Sequence, residues 1–197
     1  MSVIQSASIN ILKEIVLKVN DTWMEKIYPN QFDHYYEAKS ELIEWKYIKL
    51  VQSAHGKKLN KLFIRSLTDQ PMIISILAHC HVRSDGVKPL VYFSPTKEAI
   101  IMYDGEKYHL YGGASIEGKA NKFHTESVNL EVWNDQSPIR FQPLKNESDG
   151  WAMEYRLNIQ PKGITYVYDW ELSNQEICEI EKLHNHYEKV LAVKKVH

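Results

Sequence analysis

The chain has 197 residues, of which 44% are hydrophobic and 25% are charged. This composition is that of a globular protein and excludes a disordered chain. Its 24 basic and 25 acidic residues give a net charge of −1, so no overall field draws it to nucleic acid or to an anionic membrane. No apolar run is long enough to cross a membrane and no export signal opens the sequence. We therefore expect one cytoplasmic domain spanning residues 1–197.

The first predicted element is an amphipathic helix over residues 8–28. Its apolar residues follow helical spacing, and they are Leu12, Ile15, Val16, Val19, Trp23 and Ile27. Pro29 follows and would end this helix. A second, short helix is predicted over residues 31–45, with Asp33 as its N-cap.

Residues 45–170 are predicted to form about nine antiparallel strands. Turn signals are frequent and no helical pattern separates the strands, whereas parallel neighbours need a long crossover. That many strands favours a β-sandwich or a barrel over one open sheet. The clearest strand is Met72–Arg83, whose alternate residues are all apolar. Another strand is predicted over residues 127–133, with Val132 among its inward residues.

A tight hairpin is predicted over residues 99–113. Asp104 and Gly105 suit the two positive-φ positions of a type I′ turn. A two-residue loop would pair Tyr103 with Glu106, and the largely apolar face of this hairpin would turn toward the core.

The last predicted element is an amphipathic helix over residues 173–195, so the fold class is α+β with a helix at each end of the β core. Ser173 and Glu176 have the spacing of a capping box. His184 and His186 lie about 200° apart on such a helix and cannot share one metal ion. We expect both histidines to be solvated.

Two histidines on the Met72–Arg83 strand are candidate metal ligands. His79 and His81 are two residues apart, so their side chains project the same way at a spacing of about 7 Å. They could share a divalent transition metal if other ligands came from neighbouring segments. Asp85 and His109 are the candidates for those ligands, and His124 is a further one.

The sequence His79-Cys80-His81 followed by Asp85 resembles part of the first metal-binding motif of the cupin family. Cupins are β-barrel proteins that include metal-dependent dioxygenases and isomerases. The resemblance implies an enzyme that uses His79 and His81 as metal ligands. Ile73 and Tyr92 stand where that motif has glycines, and an aspartate replaces its glutamate.

Aromatic residues with a polar tip are frequent, since 12 tyrosines and 5 tryptophans accompany 5 phenylalanines. Tyr166, Tyr168 and Trp170 alternate along one predicted strand and share one side of it. Alternation favours this side as part of the core. If it faces outward instead, its rings, together with Arg83, would suit a glycan-like ligand or a partner protein.

No complete catalytic constellation is present in the sequence. Our leading hypothesis is therefore a non-enzymatic, cofactor-free module that binds a protein partner or a glycan-like ligand through an aromatic-rich β surface. The alternative is a metal-dependent, cupin-like enzyme with a His79 and His81 site. A third hypothesis is a structural or viral assembly component that forms homo-oligomers through its terminal helices.

Overall fold

The computed structural model describes residues 9–50, 56–83, 88–133 and 142–191. Within these ranges the chain forms thirteen strands, one 3₁₀ helix and one α-helix. The strands are β1 Asn10–Val19, β2 Trp23–Ile27, β3 Tyr35–Lys39, β4 Ile43–Leu50, β5 Lys57–Ser66, β6 Met72–Arg83, β7 Leu90–Ser94, β8 Ala99–Tyr103, β9 Tyr108–Ser115, β10 Lys122–His124, β11 Leu144–Lys145, β12 Gly150–Ile159 and β13 Ile164–Asn174. The helices are a 3₁₀ helix, η1, at Pro29–Gln31 and an α-helix, α1, at Ile177–Leu191.

The strands form two antiparallel sheets. The five-stranded sheet has the order β10-β12-β6-β1-β2, and the eight-stranded sheet has the order β11-β7-β8-β9-β13-β5-β4-β3. Side chains from both sheets build one buried cluster, which includes Ile74 and Tyr155 from the first and Trp45 and Val167 from the second. This layering is that of a β-sandwich, so the predicted antiparallel β core is confirmed.

The predicted helix over residues 8–28 is wrong, because this segment is the β1–β2 hairpin. Asn20 and Asp21 turn the chain with φ values of 46° and 59°, a conformation that Asn and Asp tolerate well. The inward side of β1 is apolar apart from Lys13, which interrupts the two-residue alternation. That one lysine conceals the strand pattern and leaves helical spacing as the apparent signal.

Two other predicted elements are also wrong. The segment 31–45 is not helical beyond the end of Pro29–Gln31, and it supplies the edge strand β3 and the start of β4. The segment 127–133 forms turns and irregular structure instead of a strand. Val132 is 59% exposed while Trp133 is 3% exposed, so the burial in this segment does not follow strand alternation.

The predicted hairpin at 99–113 exists as β8 and β9, with a register two residues away from the predicted one. Tyr103 pairs with Tyr108, which leaves a four-residue loop. The Asp104 carboxylate accepts the backbone N–H groups of Glu106 at 2.8 Å and Lys107 at 2.7 Å. This side-chain turn lengthens the loop, and a shift of two residues keeps the same side chains together on each face. The face predicted to turn toward the core, which carries Ile101 and Leu110, turns instead toward α1.

Both faces of this hairpin are buried. Ile101 and Leu110 pack against α1, whereas Met102 lies in the cluster between the sheets. Helix α1 therefore covers part of the outer face of the eight-stranded sheet, with Ile180 and Tyr187 buried against it. The hairpin stands between two hydrophobic layers.

The carboxy-terminal helix is confirmed, but it begins later than predicted. Strand β13 continues through Ser173, and the Asn174 side chain accepts the Glu176 N–H at 3.0 Å. The predicted capping box is therefore wrong, because Asn174 takes that role beside the helix start. Residues 192–195 of the predicted helix lie outside the described residues. No helix in the described part of the chain is long and apolar enough to cross a membrane.

Candidate functional site

A cavity of about 340 Å³ opens between the two sheets at one end of the sandwich. Ile11 and Cys80 line it from the five-stranded sheet, Asn60 and Glu171 line it from the eight-stranded sheet, and η1 contributes Pro29. A concave site lined by both apolar and polar groups is a usual form of a small-molecule pocket. This is the first candidate site.

A buried ion pair lies beside this cavity. Lys13 on β1 donates to the carboxylate of Asp169 on β13, and thereby joins the two sheets. The side chain of Asp169 is 5% exposed and that of Lys13 is 17% exposed. Asn60 donates to Asp169 Oδ1 at 2.9 Å, and the Tyr47 hydroxyl donates to Oδ2 at 3.3 Å. The carboxylate is therefore held by three donors.

The electrostatics of this pair favour its charged form. Burial alone would lower the pKa of Lys13, but the adjacent Asp169 carboxylate raises that pKa well above its ordinary value. Burial, together with the same carboxylate, raises the pKa of the Tyr47 hydroxyl. Burial raises the pKa of the Cys80 thiol to about 12, so Cys80 is a neutral wall of the cavity and not a nucleophile.

The other charged residues that line the cavity include more lysines than carboxylates. Lys58 pairs with Glu171 at 3.1 Å, as Lys13 pairs with Asp169. Lys49 and Lys57 also line the cavity, and among the described residues neither has a carboxylate within ion-pair distance. Lys49 donates to the carbonyl of Phe32. The cavity therefore carries a surplus of positive charge.

The outer face of the five-stranded sheet holds the second candidate site. His79 and His81 on β6 lie beside Glu14 on β1, which pairs directly with His79 in the sheet register. Glu14 Oε1 is 3.6 Å from His79 Nδ1 and 3.5 Å from His81 Nε2. The two predicted metal ligands are thus brought together, and Glu14 joins them.

His79 is fully buried, with no exposed side-chain surface. Burial, with nearby His81 and His124, lowers the pKa of His79 to about 3. The ring is therefore neutral at physiological pH. Its Nε2 accepts the backbone N–H of Val128 at 3.2 Å, so its single proton is on Nδ1, the atom that faces Glu14.

A third histidine and a second glutamate lie near this face. His124 Nε2 is 3.6 Å from Glu154 Oε2, and both side chains are 3% exposed. Burial would raise the pKa of Glu154, but His124 and Lys122 together lower it below its usual range. Trp133 covers this face with Val16, Leu77 and Ala152 in a small apolar cluster.

The other predicted metal ligands do not join His79 and His81. His109 lies on β9 in the other sheet, where its Nε2 is 2.9 Å from Asp104 Oδ2. Asp85 lies outside the described residues. Arg83, the predicted ligand-binding arginine, is an exposed residue at the end of β6.

The aromatic side of β13 faces away from the other sheet. The predicted core position is right for Trp170, which is buried in the cluster under α1, and wrong for Tyr166 and Tyr168. Tyr166 and Tyr168 are half-buried, with ring centroids 5.4 Å apart. Lys61 Nζ lies 4.7 Å and 5.1 Å from the centres of these rings. Trp170 is buried beneath α1 and cannot meet a ligand. The inner side of the strand carries Asp169 instead, because Lys13 gives that carboxylate a partner inside the sandwich.

Sequence reasoning missed Lys13, Asp169 and Glu14. The available signal was Lys13, because it is the single lysine among alternating apolar residues. Such a lysine indicates that its side of the strand faces solvent, or that its charge is buried with a partner. The partner is 156 residues away, and the local sequence pattern does not show that β1 and β13 face each other from opposite sheets.

The expectation that His184 is solvated is also wrong, whereas His186 is exposed as predicted. His184 is 1% exposed and accepts the Trp170 indole N–H on Nδ1 at 3.1 Å. Its Nε2 contacts the Lys97 carbonyl at 2.9 Å and Glu188 at 3.1 Å. Burial lowers the pKa of His184, and Lys119 and Lys97 lower it further, although Glu188 opposes this.

We expect this histidine to make the protein less stable in acid. Because the folded-state pKa of His184 is lowered, its stabilising contribution is complete above its ordinary value of 6.5 and decreases as the pH falls below that value. Protonation would place a second donor against the Trp170 indole. Urea unfolding between pH 7.5 and 5 should show this loss, with His184 contributing up to about 1.4 kcal/mol per pH unit to a slope to which buried His79 also contributes.

The matched pair for this measurement is His184→Gln and His186→Gln. The first variant should have a shallower pH slope than the unaltered protein, and the second should keep the full slope because His186 is exposed. Equal slopes in the two variants would contradict the assignment to His184.

No protein-family model matches the chain, and no curated protein matches it. Among solved structures, the chain is similar to one described as "Putative kojibiose phosphorylase from human microbiome", with 9% sequence identity and a TM-score of 0.43. The match covers 92% of this chain and 25% of that one, so this chain spans about a quarter of that protein's length.

Proposed function

We propose that the protein is a binding module that takes a small, glycan-like ligand with a carboxylate, such as a sugar acid, into the cavity between its sheets. The observation that carries this proposal is the buried Lys13–Asp169 pair beside the cavity. Charges are expensive to bury, and a hydrophobic pair would fill the same space at lower cost. Their retention beside an open cavity is typical of a functional site.

The ligand class follows from the charges and hydrogen-bonding groups of the cavity. Lys49 and Lys57 supply positive charge that no described carboxylate neutralises, which favours an anion. Asn60 and Glu171 supply amide and carboxylate groups that can bind hydroxyl groups. A polyhydroxylated carboxylate uses both kinds of group, whereas an apolar ligand would leave them unpaired.

Binding without turnover is favoured by the protonation states around the cavity. The thiol of Cys80 and the hydroxyl of Tyr47 both have raised pKa values, so neither supplies a nucleophile or a general base near neutral pH. Lys13 stays protonated because of Asp169. These groups can orient a ligand and neutralise its charge, but they do not move protons readily.

Isothermal titration with glucuronate and, separately, with glucose tests this function. Glucuronate is expected to bind with a Kd of about 1 mM or lower, and glucose at least about tenfold more weakly, because it lacks the carboxylate. Nuclear magnetic resonance spectra of the mixture should show glucuronate unchanged after prolonged incubation. Conversion of the glucuronate would contradict a non-enzymatic module.

Lys49→Gln and Lys107→Gln form the matched pair of variants. Lys49 lines the cavity, whereas Lys107 is an exposed residue of the β8–β9 loop. We expect about tenfold weaker glucuronate binding in the first variant, equal to about 1.4 kcal/mol, and unchanged binding in the second. Equal affinities in both variants would refute binding at this cavity.

A further inference from the structure

The group formed by Glu14, His79 and His81 has the chemistry of a zinc site and is separate from the cavity. One ligand atom from each residue lies within 4.8 Å of the other two. Zinc with ligands at about 2.0–2.1 Å needs ligand atoms about 3.3–3.4 Å apart in a tetrahedral arrangement. The two distances from Glu14 Oε1, 3.5 Å and 3.6 Å, are already close to that spacing.

Backbone pairing holds these residues in place. Glu14 and His79 are direct partners in the β1–β6 ladder, and His81 lies two residues further along the same face. The side chain of His81 is 40% exposed whereas that of Glu14 is 10% exposed, so an ion can enter from the His81 side. Two imidazoles and one carboxylate suit zinc and leave a fourth position for water.

The position of the proton on the His79 ring affects the hydrogen bond between this site and the segment 125–133, which covers it. In the structure His79 Nε2 accepts the Val128 N–H, so the proton is on Nδ1. A zinc ion bound at Nδ1 requires that atom to be unprotonated, and a neutral ring then carries its proton on Nε2. The Nε2–H would face the Val128 N–H, and two donors cannot share a hydrogen bond.

We propose that Glu14, His79 and His81 bind a divalent zinc ion, and that binding breaks the hydrogen bond from Val128 to His79. The segment 125–133 then loses one of the contacts that hold it over the five-stranded sheet. Metal occupancy and the closed position of this segment are therefore in competition. The site would report metal through a movement of the covering segment.

Titration of the tag-free protein with zinc chloride tests the first half of the proposal. One zinc ion should bind per chain, with magnesium binding at least about tenfold more weakly because it prefers oxygen ligands. His81→Ala and Glu14→Gln should each weaken zinc binding by about 100-fold or more. His34→Ala removes an exposed histidine elsewhere and should leave the affinity unchanged.

The variants are chosen so that folding does not decide the outcome. His81 is half-exposed, and Glu14→Gln keeps the size of the side chain, so both variants should retain the circular dichroism spectrum of the parent. Stoichiometric binding that survives both substitutions would overturn the site. Failure of the parent protein to bind zinc would overturn it as well.

Hydrogen exchange tests the second half of the proposal. With zinc bound, the amide of Val128 should exchange at least about tenfold faster, because an opened hydrogen bond no longer protects it. The amides of β12 beneath the segment should keep their protection. Zinc binding that leaves Val128 exchange unchanged would show that occupancy and closure do not compete, and would refute the coupling.

Discussion

Replacing Lys13 with methionine is expected to lower the free energy of unfolding by about 3–5 kcal/mol. The substitution leaves the Asp169 carboxylate buried with two neutral donors, Asn60 and Tyr47, and no positive charge. Removing one member of a buried pair costs more than the pair contributes, because the remaining charge has lost its counter-ion and its water. Urea unfolding at pH 7 measures the difference.

A solvent-exposed pair provides the control for this prediction. Lys58 on β5 pairs with Glu171, which lies on β13 two residues after Asp169, but the side chain of Lys58 is 69% exposed. Lys58→Met should therefore cost at most about 1 kcal/mol. Equal losses in Lys13→Met and Lys58→Met would show that burial does not set the strength of the Lys13–Asp169 interaction.

A double substitution separates the loss of the pair from the loss of one partner. Lys13→Met combined with Asp169→Leu removes both charges, so no unpaired charge remains in the core, although Asn60 and Tyr47 lose their acceptor. This variant should recover most of the stability that Lys13→Met loses. If it also abolishes glucuronate binding, the pair is retained for the ligand and not for stability.

Replacing Trp170 with alanine is expected to destabilise the protein by about 3–5 kcal/mol. The indole is 1% exposed and packs at the centre of the cluster between the eight-stranded sheet and α1. Its removal opens a cavity and also leaves His184 Nδ1 without the donor that it now accepts. The Gly112 backbone lies directly against this indole, where a Cβ would be 2.5 Å from Trp170 Nε1.

Tyr168→Ala is the matched control, because Tyr168 lies two residues away on the same face of β13 and is half-buried. We expect it to cost about 1 kcal/mol or less. Thermal and urea unfolding of both variants should therefore separate one structural residue from a surface tyrosine. Similar losses for the two substitutions would contradict the conclusion that α1 buries Trp170 but leaves Tyr168 partly exposed.

A milder substitution tests the hydrogen bond at this position. Trp170→Phe keeps an aromatic ring but removes the indole N–H, and we expect a loss of about 1–3 kcal/mol from the unsatisfied His184 nitrogen. The pH slope assigned to His184 should also become shallower, because protonated Nδ1 would no longer meet a competing donor. An unchanged slope would show that the indole does not oppose protonation.

The proposed binding cavity and the proposed zinc site lie on opposite faces of β1. Lys13 projects between the sheets, and the adjacent Glu14 projects to the outer face, as alternation along a strand requires. Substitutions at the two positions should therefore separate the two activities. Glu14→Gln is expected to remove zinc binding and retain glucuronate binding.

The local sequence determined much of the β architecture. Strand β6 is read from its alternating apolar residues because burial on one face requires a period of two. The hairpin at β8 and β9 is read from Asp104 and Gly105, and the helix α1 from its apolar stripe, since these signals involve neighbours in the chain. The position of His79 and His81 on one face of β6 follows from the same two-residue period.

Tertiary contacts decided the elements and sites that local pattern could not. Lys13 is buried between the sheets because it forms an ion pair with Asp169, which lies 156 residues later in the chain. Without knowledge of this partner, the segment has the spacing of a helix, although it forms β1. Glu14 reaches the two histidines because β1 pairs with β6, and His184 is buried because α1 lies over Trp170. The free energy that decides whether a charged or polar group is buried depends on the partner that meets it, and that partner is known only once the chain is folded.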